Sequence, residues 1–167
     1  MKKLLFTIFL SVFCISIQAQ LQRNILGAKL GVSTKTFVKS TMAKKGYKAR
    51  VGDTNDTYFF DNVKFAGRKC DLVRFDFFSG KLASVTFVIA TSFSRELPES
   101  EYDALKSLLD GKYANYKNEE TSSCCSYIDS NTFINLQFLD VVGYSVGLSY
   151  MDRGLSNQSR QSVSDEL

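Results

Sequence analysis

The amino-acid sequence predicts an α+β fold with two helix-plus-antiparallel-strand repeats, whose helices pack on one face of a sheet. Two observations support this prediction. Apolar residues recur at helical spacing in two segments, and each segment is followed by stretches in which apolar and polar residues alternate. The order helix then strands therefore occurs twice, over residues 32–92 and 97–152. Two amphipathic helices on an antiparallel sheet would bury both apolar stripes.

The first helix is expected to begin after a cap at Ser33 or Thr34 and to end near Gly46. Val38 and Met42 are four residues apart, so they share the face that is turned toward the sheet. The solvent side of this helix is expected to carry Lys35, Lys39, Lys44 and Lys45.

The second helix is expected to open at Leu97–Pro98, with proline in the first turn and acidic residues beside it. Its apolar stripe is formed by Tyr102, Leu105, Leu108, Leu109 and Tyr113.

The strands are predicted from alternation and from turn residues between the alternating runs. A turn at Asp61–Asn62 separates two short aromatic strands, and Ser79–Gly80–Lys81 forms a hairpin turn. The predicted strands are Thr57–Phe60, Val63–Phe65, Cys70–Phe78, Leu82–Ala90, Ser126–Asp129, Thr132–Leu139 and Tyr144–Met151.

Residues 1–19 have the layout of a secretory signal peptide: a short basic start, an apolar run from Leu4 to Ile17, and a small residue before a cleavage point. The run is shorter than the roughly 20 residues of a membrane span. We therefore expect an exported protein, periplasmic or secreted from a bacterium, with no transmembrane span in the mature chain. Residues 20–152 form the predicted α+β domain, and the polar residues 153–167 form a predicted disordered tail.

Composition restricts the chemistry. The chain has no histidine and no tryptophan, but 14 phenylalanines and 8 tyrosines. Without histidine there is no imidazole general base, no Ser–His or Cys–His nucleophile pair and no imidazole metal ligand. No sequence motif indicates a metal, a cofactor or nucleic acid, so none of these is expected.

Charge is distributed unevenly along the chain. Residues 20–52 carry eight basic residues and no acidic one, whereas acidic residues predominate from residue 93 onward. This pattern indicates either a solvated lysine face or a surface that binds an anionic envelope component. The candidate basic face consists of Lys35, Lys39, Lys44, Lys45 and Lys48.

Three cysteines follow the predicted signal peptide: Cys70, Cys124 and Cys125. An odd number in an exported protein implies a spare thiol or an intermolecular bridge. A bridge from Cys70 to one of the pair requires their strands to come close. The alternative is three reduced thiols, of which Cys124 or Cys125 would be the best nucleophile.

Phenylalanines are more numerous than one face of a small sheet requires. Phe78 follows Arg74 and Asp76 in the alternation, which places it on the outer face. The phenylalanines as a set therefore fill a core and a second covered face, or form an exposed aromatic patch that contacts a protein.

One stretch resembles a known class. Leu30–Gly31–Val32–Ser33, then a helix with Val38 ending at Lys45–Gly46–Tyr47, is similar to the entry of small exported bacterial domains. These are the beta-lactamase-inhibitor-protein-like modules and the outer-membrane assembly small lipoproteins. The resemblance implies helices on an antiparallel sheet and function by protein contact, and it transfers no functional residue. Phe13 stands before Cys14 where a lipoprotein needs a small residue, so lipid anchoring is not expected.

Taken together, these features predict an exported, non-enzymatic binding or protein-interaction module whose partner is another protein. Two alternatives remain at the level of sequence. One is an envelope enzyme that uses a cysteine or carboxylates, and the other is an envelope structural protein that self-associates through its basic and acidic ends.

Overall fold

The computed structural model describes residues 20–52 and 54–165, and it has an α+β architecture built on a mostly antiparallel sheet, as the sequence predicts. The predicted signal peptide, residues 1–19, lies outside the described residues. The helices are α1 (Lys35–Lys44), α2 (Glu96–Tyr113) and α3 (Arg153–Asp165). The strands are β1 (Asn24–Ile25), β2 (Ala28–Lys29), β3 (Arg50–Val51), β4 (Thr57–Phe65), β5 (Arg68–Phe78), β6 (Lys81–Ser92), β7 (Lys117–Glu120), β8 (Cys124–Ile128), β9 (Thr132–Leu139) and β10 (Tyr144–Asp152).

The main sheet has eight strands in the order β3-β4-β5-β6-β10-β9-β8-β7, and neighbouring strands are antiparallel throughout. Strands β6 and β10 therefore meet at its centre, with register partners from Tyr144 and Ser92 to Met151 and Ser84. Strands β1 and β2 form a separate small hairpin before α1. A short 3-10 helix joins α2 to β7.

One face of the sheet holds the core, where α2 contacts β6, β9 and β10, and the buried side chains of α1 belong to the same core. Alternate side chains of the central strands are fully buried there, including Phe75, Phe87 and Leu148. Side chains of the opposite parity, such as Thr86 and Ser149, are only partly buried. This alternation is typical of an antiparallel sheet with one face in the core.

Helix α1 forms where the sequence predicts it. The Thr34 side chain caps it by accepting a hydrogen bond from the Phe37 N–H at 3.3 Å, and Gly46 follows with a positive φ of 86°. Val38 and Met42 are buried, as expected from their spacing. Phe37 lies on the other side of the helix and is 49% exposed.

Helix α2 also matches its prediction, with Pro98 in the first turn and Glu96 and Glu99 beside it. Tyr102, Leu105, Leu109 and Tyr113 are buried, but Leu108 is exposed. The stripe is therefore narrower than predicted, because the helix packs along one line of contact with the sheet.

Two local predictions need correction. Strand β4 runs without interruption through Asp61–Asn62, where a turn was expected, because Asn62 adopts a positive φ of 55° and forms an irregularity within the strand. The segment before α1 was expected to be only a short connection into the domain, but it contributes to the core. Its Leu21, Ile25 and Leu30 are buried at 2% exposure or less, so it belongs to the core.

Residues 153–165 form helix α3, where the sequence predicted a disordered tail. The Asp152 carboxylate accepts a hydrogen bond from the Leu155 N–H at 2.9 Å, which caps the first turn. The Arg153 side chain donates to the Asp129 carbonyl oxygen at 2.6 Å. Helix α3 contacts β5, β6 and β10. These tertiary contacts stabilise a helix whose own composition is too polar to predict one.

Among the described residues, no helix is both long and apolar enough to cross a bilayer.

Candidate functional site

Three exposed apolar side chains, which we call the apolar tip, lie in the two loops beside the paired ends of β6 and β10. Phe93 is 92% exposed, Val141 86% and Val142 84%. Single exposed apolar residues are ordinary, but a contiguous group is typical of an interaction site. The tip is therefore the leading candidate for a functional surface.

The register of β6 and β10 places these residues together. Tyr144, at the start of β10, pairs with Ser92, at the end of β6, so the β9–β10 loop lies against the segment that leads into α2. Gly143 sits between them with a φ of 77°, and a Cβ atom there would lie 2.9 Å from the Ser92 carbonyl oxygen and 3.5 Å from the Phe93 ring. Only glycine allows so close an approach of the two loops.

A polar hollow of ≈ 200 Å³, which we call the acidic hollow, adjoins the tip. Its charged residues are Glu99, Asp103 and Asp140, against the single base Arg95. Arg95 contacts Glu99 at 3.3 Å and lies over the Phe138 ring at 5.4 Å. The hollow is lined by Arg95, Glu99, Tyr102, Asp103, Ser122, Ser123, Phe138 and Asp140.

Tyr102 forms the buried wall of the hollow. The residue is 4% exposed, and its hydroxyl has no hydrogen-bond partner among the described residues. Burial is the main cause that raises the pKa of this hydroxyl above its usual value, with nearby Cys125 adding to the effect. The hydroxyl is therefore neutral at physiological pH.

The predicted basic face is present but only partly available. Lys35 forms an ion pair with Asp56 at 2.6 Å. The other four lysines, which are exposed and form no ion pair within the described part of the chain, are Lys39, Lys44, Lys45 and Lys48. The basic face lies along α1 and just beyond its end, and none of its lysines lines the acidic hollow.

The three cysteines are free thiols. Cys70 lies on β5, and three strands separate β5 from β8, which carries Cys124 and Cys125. Neighbouring strands are about 4.8 Å apart, so the four steps from β5 to β8 far exceed the distance that a disulfide can bridge. Cys125 faces the core and Cys124 faces the other side of the sheet, because neighbouring residues of a strand point to opposite faces.

Burial raises the pKa of all three thiols, that of Cys70 to about 11. A thiol is a nucleophile only as its thiolate, so this shift opposes the enzyme alternative that rests on Cys124 or Cys125. Within the described residues, no group of three or more Cys, Asp or Glu side chains is arranged to hold a metal ion.

Phe78 lies at the end of β5 and is partly exposed, whereas Phe60, Phe75, Phe77 and Phe87 are buried. These four phenylalanines fill the core, and the partial exposure of Phe78 agrees with its predicted place on the outer face.

We expect the protein to lose stability as the pH rises above about 8.5. Burial is the main cause that raises the pKa of Cys70, Tyr102, Tyr127 and Tyr150 in the folded chain. When unfolded they ionise near their ordinary values, about 8.5 for cysteine and 10 for tyrosine. Above those values the folded state holds more protons than the unfolded state, so the free energy of unfolding falls as pH rises.

Urea unfolding between pH 7 and 10.5 measures this fall. Cys70→Ala should reduce the part of it that begins near pH 8.5 and leave the part that begins near pH 10. A free energy of unfolding that stays constant over the whole range would contradict the expectation.

The apolar tip was missed at the level of sequence. The sequence does contain an indication of exposed apolar residues. Two adjacent valines stand between Asp140 and Gly143, in a stretch where apolar and polar residues do not alternate as in a strand. Phe93 falls between two serines just after a strand, which is an unusual position for a core residue. Sequence alone does not show that these two loops meet.

The chain matches no protein-family model, no curated protein and no solved structure.

Proposed function

We propose that this chain is an exported, non-enzymatic module that binds another protein through the apolar tip. The observation that carries the proposal is the exposure of Phe93, Val141 and Val142, each above 80%, in two loops that meet at one end of the sheet. A few buried anchors, often aromatic, contribute most of the binding energy in typical complexes, and Phe93 would be the aromatic anchor here.

The acidic hollow indicates the chemistry of the partner. Glu99, Asp103 and Asp140 lie beside the tip, and Arg95 is the only base among them. A surface with an apolar pocket and a basic rim would complement this arrangement. The charged rim would mainly determine specificity and the rate of association, while the tip would supply the affinity.

The order of the elements supports the proposed two-repeat architecture. A helix followed by four strands occurs twice, as α1 with β3–β6 and as α2 with β7–β10. The last strands of the two sets, β6 and β10, are neighbours at the centre of the sheet, and the buried side chains of both helices belong to one core. This order agrees with the resemblance to beta-lactamase-inhibitor-protein-like modules, which function by protein contact.

Export is supported by the basic and apolar layout of residues 1–19. The raised pKa values of the three thiols and the lack of histidine support a role that is not enzymatic.

Photo-crosslinking tests the proposal. A chain with a photoreactive phenylalanine analogue in place of Phe93 should form one adduct of defined mass with an envelope protein. An excess of unlabelled wild-type chain should suppress this adduct. The Phe93→Ser, Val142→Ser double variant should compete at least tenfold less well, because two anchors are lost while the fold is unaffected.

The matched control carries the same analogue in place of Phe37, which is exposed on α1 and distant from the tip, and it should not form the adduct. If the double variant competes as well as the wild type, the tip is not the contact surface. Export is checked on the same material, since the recovered chain should begin at Gln20.

A further inference from the structure

A second cavity, of ≈ 230 Å³, lies between the sheet and helix α3. Its floor is formed by Ile128, Phe133 and Met151 from β8, β9 and β10. These residues alternate with Tyr127, Ile134 and Tyr150, which belong to the core, so they point to the opposite face of the sheet. Helix α3 therefore covers part of the face that α1 and α2 leave open.

The wall that α3 contributes is polar. The lining residues Arg153, Ser156, Asn157 and Arg160 are spaced at i, i+3, i+4 and i+7, so they form one face of the helix. A surface helix ordinarily turns its apolar side toward such a floor. Here three apolar side chains are covered by a face that carries two guanidinium groups.

Neither guanidinium has a carboxylate partner among the side chains that the structure describes, which end at Ser162. Arg153 donates one N–H to the Asp129 carbonyl oxygen at 2.6 Å, which leaves its other donors available. Arg160 makes no hydrogen bond within the described part of the chain. The cavity thus combines an uncompensated positive charge with an apolar surface.

We propose that this cavity binds a small carboxylate with an apolar tail. The tail would lie on Ile128, Phe133 and Met151, and the carboxylate would accept hydrogen bonds from Arg153 and Arg160. Arginine is suited to this role because its planar donors match the two oxygens of a carboxylate. One such ligand would pair with the two guanidinium groups and would also cover the three apolar side chains of the floor.

The volume limits the size of the ligand. A water molecule takes up about 30 Å³ in the liquid, so the cavity corresponds to roughly eight waters and suits a chain on the order of ten non-hydrogen atoms. Octanoate is of that size. A cationic amphiphile would be repelled by the two arginines. An anion without an apolar tail would leave the three apolar side chains of the floor exposed to water.

The site is separate from the proposed protein contact. Met151 lies seven residues along β10 from Tyr144, which adjoins the tip, a distance of about 24 Å at 3.4 Å per residue. A failure of either proposal therefore leaves the other to be judged on its own experiment.

Titration of the ¹⁵N-labelled mature chain with sodium octanoate, followed by amide chemical shifts, tests the proposal. Saturable shifts should centre on Ile128, Phe133, Met151 and the first two turns of α3. Octan-1-ol should bind at least tenfold more weakly, because it lacks the charge, and acetate should show no saturable binding.

Arg160→Gln should weaken octanoate binding about tenfold, in keeping with the loss of a hydrogen bond to a charged group, and Arg160→Lys should restore most of the affinity. Arg160 is exposed, so neither change should alter the fold, and an unchanged circular dichroism spectrum checks this. Arg50→Gln is the matched control, because it removes an exposed guanidinium on the edge strand β3, and it should bind like the wild type. Equal binding of octanol and octanoate, no effect of Arg160→Gln, or no saturable shift would each overturn the proposal.

Discussion

Phe87→Ala should lower the free energy of unfolding by about 3–5 kcal/mol, the usual cost of removing a buried phenylalanine side chain. Phe87 is fully buried on β6, which adjoins β10 at the centre of the sheet. Its ring stacks on Phe65 with 4.1 Å between ring centroids, and it meets Tyr150 edge-on at 6.3 Å. The ring thus joins β4, β6 and β10 in one aromatic cluster, and its loss leaves a cavity between both halves of the sheet.

Urea unfolding at pH 7 measures this loss. Phe87→Leu should cost less, since it keeps much of the volume. Phe93→Ala is the matched control, because Phe93 is 92% exposed and its removal should change stability by no more than about 0.5 kcal/mol. Similar losses for the two alanine variants would show that the cluster around Phe87 does not stabilise the fold.

Asp152→Ala should cost about 3 kcal/mol, because it breaks a largely buried ion pair and removes a helix cap together. The Asp152 carboxylate contacts Arg23 at 2.5 Å, and the two side chains are only 12% and 22% exposed. Arg23 also donates to the carbonyl oxygens of Leu30 and Asn131. Removal of the carboxylate therefore leaves a cation in a partly buried place that holds the N-terminal segment to the end of β10.

The space for this pair comes from Gly31, which has a φ of 77°. A Cβ atom there would lie 2.5 Å from the Asp152 carboxylate and 2.9 Å from the Arg23 guanidinium.

Stability and helicity together test the Asp152 prediction. Asp61→Ala removes the exposed pair of Arg50 and Asp61, which should contribute no more than about 1 kcal/mol. Far-ultraviolet circular dichroism should show a loss of helix for Asp152→Ala only, as the first turn of α3 loses its cap at the Leu155 N–H. If both variants lose the same small amount, the Arg23–Asp152 pair behaves as a surface pair and the prediction is wrong.

Local patterns predict the regular elements well. Val38 and Met42 lie on the buried side of α1, and Tyr102, Leu105 and Leu109 lie on that of α2, because helical spacing alone determines which residues share a face. The same is true of the alternating strands, where a period of two separates the core side from the other side.

The candidate sites were much less predictable. The sequence identified lysines and cysteines, which are conspicuous residue types. The lysines lie along α1 and just beyond its end, with Lys35 paired to Asp56, and the cysteines are dispersed over two distant strands. The residues of the apolar tip and of the cavity under α3 are ordinary apolar and polar residues. They matter only because loops and strands from separate parts of the chain bring them together.

By itself, the sequence determined the α+β class, the positions of α1 and α2 and the inward side of most strands, since these depend on residues a few positions apart. Only the tertiary structure decided that β6 and β10 are neighbours, that Phe93 lies beside Gly143, and that residues 153–165 are helical. The physical reason is that strand pairing, loop proximity and the docking of a polar helix depend on contacts between residues far apart in the chain. Such long-range contacts do not produce a periodic pattern in the amino-acid sequence, so they cannot be predicted from local spacing.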